Sequence, residues 1–314
     1  MSLNKNFIND FVRATERAAY GASLFKGRGD KISADKSAVD EMRKQFNSMN
    51  MKGRIVIGEG EMDEAPMLYI GEHVGNKLGD ELDIAVDPLE GTNFVSKNKP
   101  NALSVLAVTN KNNLLNAPDM YMEKIAIGPN LPKDILDLDF SVKKNIELLS
   151  EAKNTTPNKL RACVLKRSRH NKIIESLNSL KVKIQFIDDG DVSGVFSVAN
   201  PESGIDIYLG IGGAPEGVLA AAALSCVKCQ MQTRLFYQNE TEKKRVRNMG
   251  IEDLDFKYNI NDMVKGDVIF CATGVTDGDM VKGIKSLENT FLAETLVLHK
   301  DSGTNKIVKN EIKK

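Results

Sequence analysis

Two short acidic segments each follow an apolar run and each is broken by glycine. They are Gly58-Glu59-Gly60-Glu61-Met62-Asp63-Glu64-Ala65-Pro66 and Asp87-Pro88-Leu89-Glu90-Gly91-Thr92. In the second, an apolar strand runs into an aspartate, and Pro88 and Gly91 then turn the chain sharply. The turn lets the Leu89 carbonyl and the Thr92 hydroxyl face the same spot as the carboxylates, an oxygen set that hard divalent cations take. An ordinary strand-to-helix turn with Asp or Thr as N-cap accounts for the same residues about as well. In the first segment, crowded carboxylates repel unless a cation lies among them or they point apart. A solvated acidic loop is the commoner meaning of such a run.

Three further groups belong with these. Asp35 stands near an expected helix start, where a cap is the ordinary role. Gly210-Ile211-Gly212-Gly213-Ala214-Pro215-Glu216-Gly217 lies between an apolar strand and an alanine-rich helix. Pro215 suits the first helical turn, so Glu216 is expected at the positive end of the helix dipole, ionised and able to bind metal. The amides of Gly212 and Gly213 could cradle a phosphate or a sugar hydroxyl. The third group is basic, Lys166-Arg167-Ser168-Arg169-His170. Alone it reads as a solvated charge run, but opposite a metal site two arginines supply bidentate phosphate recognition.

Other chemistries fit poorly. The third glycine of a dinucleotide fingerprint is replaced by Pro215, and no acidic ribose partner follows the next strand. Gly278 to Gly283 has the spacing of a phosphate-binding loop, but Ile284 stands where lysine is required. Cys226 and Cys229 have no second Cys or His pair at zinc-finger distance. Histidine occurs only as His73, His170 and His299, too few for a histidine-rich zinc centre.

The elements that position these groups can be outlined from periodicity. Phe7, Phe11, Ala14 and Ala18 predict a helix over 7–25, followed by a glycine-rich break and a second helix from 33–35. Strands are expected at 54–57, 82–87 and 102–108. A polar stretch at 151–157 marks the expected boundary between an α+β domain, 1–155, and an α/β domain, 156–314. The first carries most of the candidate ligands; the second carries substrate loops and Glu216. Beyond the boundary, strands at 160–165, 182–187, 205–209 and 267–272 alternate with helices at 171–180, 192–198 and 215–230. The lysine-rich end, 306–314, is expected to fray.

Composition narrows the function classes. The 314 residues contain 43 Lys+Arg and 43 Asp+Glu, a formal net charge of zero. That balance argues against a dedicated nucleic-acid or anionic-membrane binder. The longest apolar stretch, 217–227, is too short to cross a bilayer, and the N-terminus has no apolar signal region. Four cysteines without a disulfide-like pattern point to a reducing, cytoplasmic compartment.

Taken together, the blocks Gly58-Glu59-Gly60-Glu61 through Leu68, Asp87 to Thr92 and Gly213-Ala214-Pro215-Glu216-Gly217 resemble the class II fructose-1,6-bisphosphatases. These belong to the lithium-sensitive, metal-dependent phosphatase superfamily that includes inositol monophosphatases. The likeness begins at Gly27-Arg28-Gly29-Asp30-Lys31 and extends through Thr273 to Gly278 and Ser302-Gly303-Thr304. The Asp-Pro-x-acid-Gly-Thr block alone indicates the superfamily; the blocks together indicate class II. Leu89 stands where the family usually has isoleucine.

The resemblance implies a layered α/β/α/β/α sugar-phosphatase fold with its metal site in the cleft between the two halves. It implies Asp35, Glu59, Asp87, Glu90, Glu216 and the Leu89 carbonyl as ligands of Mg²⁺ or Mn²⁺. Thr92, paired with a carboxylate such as Glu59, would aim the attacking water, with Asp63 near the metals and Lys31 near the reacting phosphate. Glu90, Gly91, Thr92, Tyr121, Arg167, Ser168, Arg169, the Asp189-Gly190-Asp191 turn and Gly213 would hold the substrate. The implied reaction removes the 1-phosphate of fructose 1,6-bisphosphate, with sedoheptulose 1,7-bisphosphate as a second candidate. A phosphatase of inositol monophosphate or a nucleotide bisphosphate is the nearest alternative. A silent sugar-phosphate-binding regulator is another, though it would lack ligands that are all present here. A homo-oligomer, dimer or tetramer, is expected.

Overall fold

A computed structural model describes residues 2–60, 67–248 and 250–314. The chain forms two compact units, residues 1–116 with 264–314, and residues 117–263. The first opens with α1 (Phe7–Ser23) and α2 (Lys31–Ser48), which pack together. Then come β1 (Met51–Ile57), β2 (His73–Val74), β3 (Asp80–Glu90), α3 (Thr92–Ser96) and β4 (Leu103–Asn110). The second unit holds β5 (Tyr121–Ile127), α4 (Val142–Ala152), β6 (Arg161–Leu165), α5 (Asn171–Ser179), β7 (Lys183–Ile187) and α6 (Asp191–Phe196). It continues with β8 (Ile207–Gly213), α7 (Ala214–Cys226), β9 (Gln230–Phe236), α8 (Glu240–Asn248), β10 (Tyr258–Asn259) and α9 (Ile260–Met263). The chain then returns to the first unit with β11 (Val268–Gly274), β12 (Lys285–Ser286), β13 (Thr290–His299) and β14 (Thr304–Lys313).

That return corrects the single boundary expected after residue 155. β11 pairs antiparallel with β4 from Val268 opposite Thr109 to Gly274 opposite Leu103, which draws the C-terminal strands into the N-terminal sheet. The polar stretch at 151–157 is only the end of α4 and the turn after it.

Both sheets are mixed, and the α/β class expected from the sequence holds. In the first, the order is β12-β13-β11-β4-β3-β1-β2, with β14 on β13. α1 and α2 cover one face through Phe11, Ala18, Met42 and Phe46 against Ile84, Leu106, Val108 and Cys271, all buried. In the second, the order is β10-β9-β5-β8-β6-β7. Successive residues of a strand face opposite sides of a sheet. Ile125, Ile127, Ile207 and Leu209 pack with Ile146, Leu149 and Leu177 of α4 and α5. The intervening residues, such as Lys124 and Tyr208, face the side where α6 and α7 lie.

Two other expectations are corrected. Residues 306–314 do not fray: β14 pairs with β13 from Thr304 to Lys313. The alternation explains it, because Val308 and Ile312 turn toward the core while Lys309, Glu311 and Lys313 face out. The alanine-rich helix stops at Cys226 instead of reaching Gln230. Lys228 takes a left-handed φ of 58°, and the free Cys229 leads into β9 off the helix.

The N-terminus is fastened by Asp267, a buried carboxylate just before β11. It accepts from the Leu3 amide (2.8 Å), the Asp301 amide (2.9 Å) and His299 Nε2 (2.8 Å). Burial pushes this carboxyl up, but those donors outweigh it and hold it below the ordinary carboxylate value. A depressed carboxyl stabilises the fold above its unfolded value, about pH 4, and that contribution is lost as pH falls through the folded value. Asp267→Asn is therefore expected to flatten the acid limb of the melting temperature below about pH 4. An acid limb identical to that of the unaltered protein would contradict this assignment.

Candidate active site

The bend in β3 brings its carboxylates together. The ladder with β4 is regular up to Asp87 opposite Val105 and resumes at Glu90 opposite Leu103, leaving one extra residue in β3. The Leu89 amide donates to Asp87 Oδ1 at 3.1 Å within this bulge. Bulges of this kind re-aim side chains, and here Asp87 and Glu90 place carboxylate oxygens within 4.8 Å of each other. Glu90 and the Leu89 side chain are buried, and Asp87 is half-buried.

Gly91 follows with φ 83° and is the N-cap of α3. A side chain rarely takes that conformation, so glycine is required for the chain to turn there. Thr92 is the first residue inside the helix and not its cap, which removes the ordinary structural reason for a hydroxyl at this position. Asp35 is relieved of the capping role in the same way. Asp30 caps α2, accepting from the Ser33 amide at 3.0 Å, and Asp35 lies a turn further in.

Asp35 and Glu59 are in side-chain contact. Burial raises the Asp35 carboxyl, and its hydrogen bond with Glu59 opposes the rise. Two carboxyls this close share a proton or hold a cation between them, since both ionise cheaply only in the second case. Glu59 leaves β1 with its amide bonded to the Leu68 carbonyl at 3.0 Å. Lys31, exposed in the first turn of α2, donates through Nζ to Asn93 Oδ1, the neighbour of Thr92. Asp63 falls at 61–66, outside the described residues.

In the second unit, the Arg169 guanidinium lies 4.6 Å from the centre of the Tyr121 ring. Its Nε and Nη2 donate to the Ile211 carbonyl at 3.0 and 2.8 Å. Arg167 donates through Nη1 to the Lys166 carbonyl at 3.0 Å, and Ser168 is exposed. Arg167 precedes a tight turn after β6, Ser168–His170, and Arg169 lies within it. Gly190, with φ 80°, caps α6, placing Asp189 half-exposed before the helix and Asp191 buried within it. Gly213 ends β8 and caps α7, and Glu216 sits in that helix's first turn.

More than the helix dipole acts on Glu216. Burial raises its carboxyl, Lys124 pulls it down, and Asp191 and Asp119 push it up again. A bound cation would restore the balance in favour of the carboxylate.

Sequence reasoning missed three residues that shape this half. His170 is fully buried, with Nδ1 at 2.7 Å from the Leu165 carbonyl and Nε2 at 2.8 Å from the Ile211 amide. That pattern assigns the proton to Nδ1, and burial lowers the ring's affinity for a second one. It clamps the arginine turn to β8. Lys124 and Tyr208 are the others, both fully buried. A lysine within the apolar run Lys124-Ile125-Ala126-Ile127 was the available signal.

An α/β chain that gathers carboxylate oxygens at strand ends and helix starts, with no histidine or cysteine among them, suits a hard divalent cation. The chain matches the family described as bacterial fructose-1,6-bisphosphatase, glpX-encoded, over residues 5–312, and it belongs to that family. It is 42% identical over 315 residues to the fructose-1,6-bisphosphatase class 2 of Haemophilus influenzae, covering 96% of this chain and 94% of that protein. It is likewise 42% identical over 309 residues to fructose-1,6-bisphosphatase 1 class 2 of Escherichia coli, covering 94% and 91%. A solved inositol monophosphatase–fructose 1,6-bisphosphatase matches 63% of this chain and 73% of its own at TM-score 0.35 and 12% identity, too distant to bear on the fold. No described helix is long and apolar enough to cross a membrane.

Proposed function

We propose that this protein hydrolyses the 1-phosphate of fructose 1,6-bisphosphate to give fructose 6-phosphate and inorganic phosphate, using Mg²⁺ or Mn²⁺. The observation that carries this reading is family membership along nearly the whole chain, residues 5–312, with relatives of that activity by name at 42% identity. Asp35, Glu59, Asp87, Glu90 and Glu216 are the proposed ligands, with the Leu89 carbonyl. A divalent cation held by these oxygens would supply charge neutralisation of the phosphate, a more acidic water and stabilisation of the leaving alkoxide. The Thr92 hydroxyl would orient the attacking water in line and help to pass its proton toward a carboxylate such as Glu59. Lys31, steadied by Asn93, and Asp63 assist near the reacting phosphate. Gly91 and Gly213 offer backbone groups at helix starts. Arg167, Ser168 and Arg169 take the distal phosphate, Tyr121 and the Ile211 carbonyl fixing the plane of Arg169. The Asp189-Gly190-Asp191 turn holds the sugar. Cytoplasmic residence and a dimeric or tetrameric assembly are part of the same proposal.

Phosphate release tests it, measured with Mg²⁺ or Mn²⁺ on fructose 1,6-bisphosphate, sedoheptulose 1,7-bisphosphate, inositol 1-phosphate and a nucleoside bisphosphate. Fructose 1,6-bisphosphate should be preferred to the last two, and Arg169→Ala or Arg167→Ala should raise its KM. Loss of a charged hydrogen bond, about 1.5–3 kcal/mol, corresponds to roughly 10- to 100-fold. A preference for inositol 1-phosphate, with both KM values unmoved, would overturn the substrate assignment.

A further inference from the structure

Lys124 is the least expected residue of the second unit. Its side chain is entirely buried in β5 and its ammonium pairs with Asp191. Tyr208 of β8, also fully buried, donates its hydroxyl to the other carboxylate oxygen of Asp191. Burial keeps that phenol protonated, a donor, by pushing its pKa well up; the Asp191 charge adds to the effect. β8 approaches so closely here that a Cβ on Gly212 would overlap the Asp191 carboxylate. Asp191 is thus held by a lysine, a tyrosine and a strand backbone that only glycine allows to come so near.

Stability does not account for such an arrangement. Buried ion pairs are seldom better than apolar side chains of the same volume, and their best-attested use is to fix one geometry. The geometry fixed here is that of the turn before α6, because Asp191 directly follows Asp189 and Gly190. Tyr208 lies three residues before Ile211 on β8, whose carbonyl accepts both Arg169 bonds and whose amide bonds His170. Lys124 faces Gly210 of the same strand across the ladder. One short piece of β8 therefore references both the arginine turn and the Asp189–Gly190 turn.

We propose that Lys124 and Tyr208 are positioning residues that act through Asp191 to set the Asp189–Gly190 turn relative to Arg169. They tune recognition of the sugar and its distal phosphate, and the Tyr208 hydroxyl takes no part in the hydrolytic step. This rests on the substrate reading above, and the unaltered enzyme's release of phosphate from fructose 1,6-bisphosphate checks that reading separately.

The test compares Tyr208→Phe, Lys124→Met, Asp189→Asn and the double variant Tyr208→Phe with Asp189→Asn. For each, kcat and KM for fructose 1,6-bisphosphate and the melting temperature are measured. Tyr208→Phe keeps the ring and removes one donor, so it folds even if Lys124→Met does not. Its KM is expected to rise about tenfold, the size of one lost hydrogen bond to a charged group, with kcat within a factor of about two. In the double variant KM should scarcely exceed that of the worse single variant, since both changes disable the same turn. An unchanged KM with a lowered melting temperature would show a purely structural role and overturn the proposal. So would a loss confined to kcat, or fully multiplicative KM effects in the double variant.

Discussion

Exhaustive treatment with EDTA is expected to reduce phosphate release from fructose 1,6-bisphosphate to background, and added Mn²⁺ or Mg²⁺ to restore it. A phosphate ester resists attack because its oxygens repel nucleophiles, and the candidate set of the first unit has only Lys31 to set against that charge. It offers carboxylates instead: Asp87 beside Glu90 within 4.8 Å, and Asp35 in contact with Glu59. Such pairs worsen the repulsion unless a divalent ion sits among them. All the donors are oxygens, which favours Mg²⁺ or Mn²⁺ over softer metals. Removing the ion should also leave the charge within each pair uncompensated, so the chelated protein should melt lower at neutral pH than the reloaded one. Full turnover after exhaustive chelation would sink the metal assignment.

Thr92→Val should lower kcat by about 100-fold or more while leaving KM and metal affinity little changed, as for a lost proton-handling group. Valine preserves the β-branched shape, so α3 should keep its form. Thr92→Ser should retain substantial activity because it restores the oxygen. The competing explanation was a helix cap, worth about 1 kcal/mol of stability. Gly91 occupies that cap position and Thr92 follows it, so the valine variant should melt close to the parent. Measuring kcat and melting temperature on both variants settles the point. A stable Thr92→Val enzyme with near-normal kcat would remove Thr92 from the mechanism.

What was legible in the sequence was whatever depends on neighbours along the chain. The run into Asp87, the turn at Gly91 and the helix start around Pro215 are local, and the structure has all three. The bulge that sets Asp87 beside Glu90 is not, because it exists only against the register of β4. Asp30 took the cap that the pattern left open to Asp35, a choice made by side-chain geometry a few residues away. β14 was misread because its lysines were weighed as composition, when alternate positions carry Val308 and Ile312 inward. Lys124, Tyr208 and His170 stayed hidden for a different reason: their partners are more than 15 residues away in most cases, and burial inverts what a lysine or a histidine ordinarily means. The segment at 61–66, Asp63 included, rests on the sequence alone.

The chain's departure from its first unit after residue 116 and its return at 264 set an order of assembly during synthesis. Domains commonly fold as they emerge, N-terminal parts first. Here the strand bearing Asp87 and Glu90 leaves the ribosome early, yet β4 beside it has no partner on its far edge until β11 arrives. The Leu3 amide waits for an acceptor 264 residues downstream. Residues 117–263 can meanwhile complete their own sheet without any later sequence. The nascent chain therefore holds a finished middle between two halves of an unfinished sheet, and its carboxylate half is the last to close. A ribosome stalled before β11 would carry the arginine turn intact and an exposed apolar edge in place of a completed first sheet.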